Sequence, residues 1–585
     1  MLKLLKKMKS KEIIMGVICV ILLLGQIFLD LKLPDFMSEM TTLIQTPGSE
    51  MSAIWGVGIK MLITTLLSAL LCIICGYLSA KIASGFTYTV RKDLFSHVQT
   101  LGQEEMLDFS VPSLITRTTN DITQIQMVIA MGLQALIKSP IMAVWAIIKI
   151  LGKSWELSLI TAVFVIVICV AITLIVTRVL PRFRIVQKLT DKINKIAREN
   201  LTGINVVHAF NAEDYQNEKF DKSNTEMMNI QLKNQHCFAL MQPILGLGMN
   251  GLSLCIFWVG AALLAAIPAV SVDARLTMFS DIVVFSTYAT YVVMSFMMLI
   301  MIFMMLPAAQ VSAERINAVL NKEARIEEGL VNEGLEEGSV EFKNVSFAYP
   351  GASNNDLENI SFKVNKGDTL AIIGATGSGK TTLVSLIARF YDTTSGEVLV
   401  DGVNVKDYTF DTLYNKIAYI TQKAVMFNGS IEENVKFGEQ KTKLEDKDVD
   451  MSLDLACASE FVNKLDDGKD YVIAQGGRNV SGGQKQRISI ARALARKSEI
   501  IIFDDSFSAL DYKTDSILRQ GLKEKLPDTT KIIVAQRIST IRNADNILVL
   551  DEGKLVGSGT HEELMKNCDV YQEIARSQLS EKELA

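Results

Sequence analysis

The segment Thr369-Leu-Ala-Ile-Ile-Gly374-Ala-Thr-Gly-Ser-Gly-Lys380-Thr381 joins an apolar run to a glycine-rich loop, and a helical run at 382–390 follows. Its second part matches G-x-x-x-x-G-K-[ST]. A glycine-rich loop between a strand and a helix is typical of a phosphate-binding loop. The glycines let backbone N–H groups approach phosphate oxygens at the helix N-terminus. Lys380 is predicted to lie on the β- and γ-phosphates, and the Thr381 hydroxyl is predicted to ligate Mg²⁺.

A second segment, Ile500-Ile-Ile-Phe-Asp504-Asp505, places two carboxylates at the end of an apolar run. A short apolar run bounded by turn residues is typical of a buried strand. Strands that end in Asp supply a Mg²⁺ partner in phosphoryl-transfer sites. Taken alone, Asp504 would also fit a helix cap or a turn. Because a phosphate-binding loop is present in the same chain, we assign Asp504 to the metal.

The composition of the first half predicts a membrane domain. The 585 residues are 49% apolar and 21% charged, and the mean hydropathy of +0.27 is high for a soluble protein. About 20 apolar residues cross the hydrocarbon core of a bilayer as a helix. Six candidate spans are 13–29, 61–80, 128–150, 157–177, 237–272 and 282–313. The third span contains Lys138 and Lys149, which we expect to snorkel toward the interfaces.

The distribution of charge sets the orientation and excludes some functions. Lys and Arg concentrate at the N-terminus and after the fourth span, and they are missing from 33–52. This asymmetry predicts a multi-pass membrane protein with the N-terminus and the nucleotide-binding half in the cytoplasm. The net charge of -5 argues against a nucleic-acid partner. Eight cysteines without disulfide spacing favour a reducing compartment.

The segment at 479–487, Asn-Val-Ser-Gly-Gly-Gln-Lys-Gln-Arg, resembles the signature motif of ATP-binding cassette (ABC) proteins. Ser-Ala-Leu-Asp at 508–511 resembles the D-loop of the same family, in which segments similar to 113–121 and 203–210 lie at cytoplasmic coupling helices. With six helices ahead of one cassette, the chain resembles a half-transporter of the ABC exporter class.

The resemblance implies an all-α six-helix polytopic membrane domain with long cytoplasmic helical extensions, followed by an α/β P-loop NTPase cassette domain with a helical subdomain. The expected boundaries are 1–12 for a cytoplasmic N-terminus, 13–313 for the membrane domain, 314–338 for a linker and 339–585 for the cassette.

The resemblance also implies roles for the motif residues. Tyr349 matches the aromatic that stacks on adenine, and Gln422 resembles the Q-loop glutamine, which would ligate Mg²⁺ with Thr381 and Asp504. The catalytic positions are Asp505, Gln536 and Gln422. The residues implied to contact ATP are Tyr349, Gly374, Ala375, Thr376, Gly377, Ser378, Gly379, Lys380, Thr381, Thr382, Ser481, Gly482, Gly483 and Gln484.

Three positions depart from the family pattern. Asp505 stands where a Glu normally polarises the attacking water, and one missing methylene withdraws the carboxylate by about 1 Å, an error that can cost ~10²-fold in rate. Gln536 stands in place of a His, and Gln475 replaces a common Glu before the signature. Each change alone fits drift. Two changes around one γ-phosphate predict a site that binds ATP but hydrolyses it poorly.

In this family, two cassettes enclose two ATP molecules, each held between the phosphate-binding loop of one cassette and the signature of the other. The signature of this chain is intact except for Val480 in place of the usual Leu. We therefore expect a heterodimer with a second, different half-transporter, resembling the degenerate-site subunit of bacterial multidrug exporters. The implied function is ATP-driven export of amphipathic drugs or lipid-like molecules. An ATP-gated regulator or channel, and a dedicated lipid or peptide exporter, are the alternatives.

The last span is rich in methionine, a side chain that adapts its shape to varied apolar partners. Several of these residues share one helical face, because they follow i, i+3, i+4, i+7 spacing. The set is Met294, Met297, Met298, Met301, Met304 and Met305. The pattern fits lipid-facing or helix-packing residues first, and the wall of a cavity for amphipathic substrates is the alternative.

Overall fold

The computed structural model describes residues 2–46, 48–151, 153–268, 271–333, 337–438 and 444–579. The chain divides into two compact units. One comprises Met1–Gln99 and Val111–Asn321, and the other comprises Thr100–Ser110 and Lys322–Ala585. The short segment at 100–110 therefore belongs with the second unit, although it lies in sequence between two parts of the first.

The first unit is built of long helices. In chain order, and including α4 of the second unit, the helices are α1 Leu2–Leu5, α2 Ser10–Gln45, α3 Met51–Thr100, α4 Gln103–Asp108, α5 Val111–Thr116, α6 Ile122–Leu151, α7 Trp155–Thr202, α8 Ile204–Ala209, α9 Glu213–Ala239, α10 Met241–Ala266 and α11 Val272–Leu320. A π-helical turn, Arg117–Asp121, joins α5 to α6. Six helical stretches in the described residues are long and apolar enough to cross a membrane, which confirms the predicted number.

These helices are longer than a bilayer requires. At 1.5 Å per residue, the 50 residues of α3 extend about 75 Å, against a hydrocarbon core of about 30 Å. Large apolar side chains of α3, including Ile63, Leu66 and Leu70, are exposed. An apolar surface of this kind is stable when it faces lipid. The helices thus continue well past their apolar segments, as the long charged connections predicted.

Two lysines inside the third predicted span pair with aspartates that follow the first predicted span. Lys138 Nζ lies 3.0 Å from Asp30 Oδ2, and Lys149 Nζ lies 2.9 Å from Asp35 Oδ2. Tyr288 also donates a hydrogen bond to Asp35 Oδ1 at 2.9 Å. The expectation that Lys138 and Lys149 snorkel to the interfaces therefore misses their partners. The ion pairs join α6 to α2, so each lysine has a carboxylate partner on a neighbouring helix.

The second unit carries the strands and the shorter helices. The strands are β1 Val340–Phe347, β2 Leu357–Val364, β3 Thr369–Gly374, β4 Ser395–Val400, β5 Val403–Asn404, β6 Ile417–Ile420, β7 Gly429–Ser430, β8 Val472–Ile473, β9 Ile500–Asp504, β10 Thr530–Val534, β11 Asn546–Asp551 and β12 Lys554–Gly559. The helices are α12 Lys380–Ile387, α13 Phe410–Lys416, α14 Ile431–Val435, α15 Asp446–Leu455, α16 Ser459–Val462, α17 Gly482–Ala495, α18 Tyr512–Lys525, α19 Ile538–Ile541, α20 His561–Asn567 and α21 Asp569–Gln578.

A six-stranded sheet in the order β12-β11-β3-β10-β9-β6 forms the centre of this unit, and all of its neighbouring pairs are parallel except β11 and β12. Its strands alternate between two apolar clusters, so that Ile532 packs on one face and Ile533 on the other. Burial on both faces explains the near-continuous apolar runs of the sequence. The carboxyl ends of β3, β9 and β10 meet at one edge, where ligands bind in such sheets.

Candidate nucleotide site

The phosphate-binding loop connects β3 to α12 as the sequence predicts. A Cβ on Gly374 would lie 2.1 Å from the carbonyl oxygen of Leu550 in the neighbouring strand, so no other residue fits there. Gly379 has φ of +94°, a left-handed conformation that glycine adopts without strain. The loop therefore depends on its glycines for close packing and for backbone geometry, and α12 begins directly at its end.

Lys380 is held inside this loop. Its ammonium donates hydrogen bonds to the carbonyl oxygens of Gly374 at 2.8 Å and Ala375 at 2.7 Å. Burial lowers the pKa of Lys380, while the nearby carboxylates of Asp505 and Asp504 act in the opposite direction. A partly desolvated cation is positioned to bind an anion strongly, because little solvent must be displaced from it.

Thr381 and Asp504 form a pair of oxygen donors beside the loop. The Thr381 hydroxyl donates to Asp504 Oδ1 at 2.8 Å, and the Tyr419 hydroxyl donates to Asp504 Oδ2 at 3.0 Å. Burial raises the pKa of Asp504, although these two hydrogen bonds lower it. Mg²⁺ prefers hard oxygen ligands and is usually held by one or two carboxylates together with substrate phosphates. The chemistry of this donor set therefore fits Mg²⁺.

Asp505 and Gln536 meet at the end of the neighbouring strands. Asp505 Oδ2 accepts a hydrogen bond from Gln536 Nε2 at 2.8 Å and a longer one from Gln422 Nε2 at 3.4 Å. Asp505 has φ of +49°, a conformation uncommon for a residue with a side chain. The three residues predicted at catalytic positions thus lie together, with the Gln536 and Gln422 amides both bonded to Oδ2 of Asp505.

A cavity of about 360 Å³ lies over the loop. Nine of the predicted residues line it: Thr376, Gly377, Gly379, Lys380, Thr381, Thr382, Gln422, Asp505 and Gln536. Asp356 and Val534 line it as well and were not predicted, although Val534 ends β10 two residues before Gln536. Tyr419 was also missed, although its place in the strand just before Gln422 could have indicated it. Gly374, Ala375 and Ser378 contact Lys380 instead of lining the cavity.

Comparisons with known proteins agree with this arrangement. The family described as "ABC transporter" matches residues 357–508, and "ABC transporter transmembrane region" matches residues 16–296. An uncharacterized ABC transporter ATP-binding protein of Mycobacterium tuberculosis is 38% identical over 89% of this chain and 88% of its own length.

The chain belongs to the ABC transporter family.

Two further likenesses extend the comparison. The ATP-dependent lipid A-core flippase of Haemophilus influenzae is 32% identical over 87% of this chain and 85% of its own length. A solved bacterial Atm1-family ABC exporter with ATP bound superposes with a TM-score of 0.78, covering 98% of this chain and 99% of the other at 23% identity, which shows a shared fold. The predicted fold class is confirmed: a six-helix exporter membrane domain is fused to an ATP-binding cassette, and the protein is a transport ATPase.

The signature motif of this ABC cassette lies at the start of α17. The Ser481 hydroxyl accepts a hydrogen bond from the Gln484 N–H at 3.3 Å, and Gln484 Oε1 accepts one from the Ser481 N–H at 2.8 Å. Ser481 and Gly482 are exposed. None of residues 481–484 is among the described residues that line the cavity over the phosphate-binding loop.

Tyr349, the residue predicted to stack on adenine, does not line the cavity of this ABC cassette either. Its hydroxyl lies 3.0 Å from the Thr382 hydroxyl at the start of α12, and its ring packs edge-on against Tyr391 with centroids 5.2 Å apart. The ring is therefore anchored beside the helix that follows the phosphate-binding loop. Its contact with adenine stays a prediction.

Proposed function

We propose that this chain is the degenerate-site subunit of a heterodimeric ABC exporter, which binds ATP at its own site and hydrolyses it poorly there. The observation that carries the proposal is the hydrogen bond of 2.8 Å between Gln536 Nε2 and Asp505 Oδ2. These two residues stand at the positions where the family normally has His and Glu.

The geometry supports a weak water-polarising group. Asp505 presents its carboxylate on a side chain one methylene shorter than Glu, and Oδ2 already accepts hydrogen bonds from two amides. A general base must come within hydrogen-bond reach of the water that it activates. The Gln536 amide can position a phosphate oxygen, but it cannot titrate or carry charge. ATP binding is retained in this proposal, because Lys380, Thr381 and Asp504 keep their roles at the phosphates and Mg²⁺.

The proposal assigns the signature to the ATP site of a partner. Ser481 and Gly482 are exposed at the N-terminus of α17, where backbone N–H groups favour anions. In the complex, Ser481, Gly482, Gly483 and Gln484 would face a γ-phosphate bound by a second, different half-transporter. In this arrangement, the intact signature of this chain completes an ATP site in which the partner supplies the catalytic Glu and His.

An apolar cavity supports amphipathic or lipid-like substrates. It has a volume of about 320 Å³ within the first unit, between α7, α10 and α11. Its lining comprises Ile172, Met241, Leu245, Met294, Met297, Met298, Ile300, Met301 and Met304. Methionine side chains rearrange around apolar groups of different shapes. The similarity to a lipid A-core flippase adds support for a lipid-like substrate.

We place the protein in a bacterial cell membrane with the N-terminus and the cassette in the cytoplasm. The bacterial sources of its relatives and the charge asymmetry of the sequence support this orientation. The proposed functional boundaries are 1–12, 13–313, 314–338 and 339–585; residues 334–336, 439–443 and 580–585 lie outside the described ranges.

The decisive experiment compares Asp505→Ala with Ser481→Ala in the assembled transporter. The chain is first isolated from native membranes with whatever half-transporter copurifies, and each variant is reconstituted with that wild-type partner. We expect Asp505→Ala to lower steady-state ATPase by less than about tenfold, because little transition-state stabilisation remains to lose there. Ser481→Ala should lower it by ~10² or more, since it removes a donor from the working site. Lys380→Ala should fall between the two.

Ser481 also caps α17, so its substitution needs a control for folding. Ser430 caps α14 in the same way, accepting the Glu433 N–H at 3.0 Å, and Ser430→Ala should leave ATPase nearly unchanged. If Asp505→Ala abolished activity and Ser481→Ala spared it, this chain would own the working site. Recovery of the chain only with copies of itself would contradict the heterodimer.

An ATP-gated regulator or channel is the second candidate, because poor hydrolysis at one site is compatible with a switch. ATP-dependent accumulation of a labelled amphiphile in inverted vesicles separates the two functions. A channel cannot build a gradient, so accumulation against a gradient would exclude it.

A further inference from the structure

A second polar cavity lies in the cassette unit, away from the phosphate-binding loop. Its volume is about 560 Å³, within the usual range for small-molecule sites. Three cations, Lys531, Lys523 and Arg519, line it, and none of the described residues in its lining is acidic. The ATP site shares no lining residue with it.

Lys531 breaks the pattern of the strand that carries it. It lies in β10, a central strand of the six-stranded sheet, where it is paired with Thr369 of β3 and Ile501 of β9. The next residue on the same face, Ile533, belongs to the apolar core. A strand buried on both faces normally carries apolar residues throughout. A lysine at this position therefore calls for a reason other than packing.

The ammonium of Lys531 has no partner in the part of the chain that the structure describes. The residue is only 5% exposed, yet no hydrogen bond or ion pair to its Nζ occurs there. Burial lowers the pKa of Lys531, and Asp545 and Asp528 act on it in the opposite direction without pairing with it. Asp545 instead accepts the Thr369 N–H at 2.8 Å. Lys531 Nζ is not among the fully buried unpaired atoms of the described residues, so a buried stem carries an ammonium that is open to the cavity, where an anion can bind it.

Arg519 and Lys523, both on α18, line the same cavity as Lys531. Arg519 uses its Nε to donate to the buried Asp515 at 2.8 Å, which fixes the direction of its guanidinium and leaves the terminal nitrogens for another acceptor. Lys523 lies four residues further along α18, so it shares a face with Arg519. Asp515 also accepts the Thr540 hydroxyl at 3.1 Å, and it does not line the cavity.

Neutral polar groups complete the lining. Ser516 and Gln520 come from α18, and Asn543 follows α19; the Gln520 amide nitrogen donates to Glu524 Oε1 at 2.8 Å, and Glu524 does not line the cavity. Charge-assisted hydrogen bonds from Arg and Lys to oxyanions are among the strongest in proteins, and the guanidinium geometry matches phosphate.

We infer that this cavity is a binding site for a small, multiply charged phosphate compound, with Lys531, Arg519 and Lys523 as its cationic contacts. The site is separate from the ATP site and does not depend on the proposed hydrolytic role of this chain.

Pyrophosphate is a suitable probe, applied to the full chain in detergent with the ATP site saturated by a non-hydrolysable ATP analogue and free Mg²⁺ held constant. We expect pyrophosphate to raise the midpoint of thermal unfolding, with sodium chloride at matched ionic strength as the control for screening. Lys531→Met keeps the apolar stem and removes the charge, so it should weaken pyrophosphate binding by about tenfold or more. Lys523→Gln, at an exposed position, should also weaken it.

Lys525→Met is the matched control, because Lys525 is exposed on the same helix and does not line the cavity. It should leave pyrophosphate binding unchanged. Without the probe, Lys531→Met should unfold at the same or a higher temperature than wild type, since burial already disfavours the charged form of this lysine. Equal stabilisation by chloride, or unchanged pyrophosphate binding in folded Lys531→Met and Lys523→Gln, would overturn the assignment.

Discussion

Restoring the catalytic pair in this chain should convert it into an active ATPase. The change is Asp505→Glu together with Gln536→His. The added methylene moves the carboxylate outward by about 1 Å or more, past the amides of Gln536 and Gln422 that now hold Oδ2 at 2.8 and 3.4 Å. A displacement of that size in a reacting group is worth ~10²-fold in rate, and a positioned general base typically contributes 10²–10⁴-fold.

The purified wild-type chain should bind Mg·ATP and turn it over well below the ~1 s⁻¹ at the low end of ordinary enzymes. The double variant should be about 10²-fold faster. Its intact signature allows two copies to complete each other's sites, so no partner is needed. Asp505→Glu alone should gain less, because Gln536 would still donate to the carboxylate without supplying charge.

The assay is steady-state phosphate release by the reconstituted lone chain, with ATP affinity measured separately. Asp551→Glu, the same extension at the end of β11, controls for an added methylene in the cassette and should change nothing. The reasoning fails if wild type already hydrolyses several ATP per second. It fails equally if the double variant keeps wild-type ATP affinity and shows no gain in turnover.

Two further predictions test the membrane cavity and the metal site. Replacing Met294, Met298 and Met301 with Ala should change which amphiphiles stimulate ATPase in the assembled transporter, because these side chains line the apolar cavity; an unchanged profile in a folded variant would assign them to packing. Burial raises the pKa of Asp504, so its ionised form opposes folding at neutral pH, and this effect fades as pH falls through the folded-state pKa. Asp504→Asn should therefore raise the melting temperature of the nucleotide-free chain more at neutral pH than at a pH acidic enough to protonate Asp504, while removing stabilisation by Mg·ATP; thermal unfolding measures both, and a larger gain at the acid pH would contradict the assignment.

Features encoded by residues that are adjacent in the chain were predictable from the sequence. The phosphate-binding loop was predictable because strand, glycines and helix are adjacent in the chain, and each is specified by its own residues. The six spans were predictable because about 20 apolar residues in a row have few alternatives to a membrane helix. Both signals depend on neighbours within one segment, which a sequence displays directly.

Ion pairs between residues far apart in the chain could not be predicted from the sequence. Lys138 and Lys149 looked like snorkelling residues, but their partners Asp30 and Asp35 lie more than 100 positions earlier. The segment at 100–110 is adjacent in sequence to the first unit, yet it belongs to the second, where Lys322 pairs with Asp108 at 2.6 Å. Electrostatic partners are chosen by distance in space, and only packing sets that distance.

The sequence by itself determined the ABC fold and the position of the phosphate-binding loop, and it has Asp505 and Gln536 where the resemblance predicts Glu and His. Only the tertiary structure decided that Gln536 and Gln422 converge on the same carboxylate oxygen, and that Lys531 lines a cavity with two other cations and pairs with none of the described residues. The physical reason is that motifs are encoded by short-range chain geometry, whereas the environment of a side chain depends on which strands and helices the whole fold brings against it.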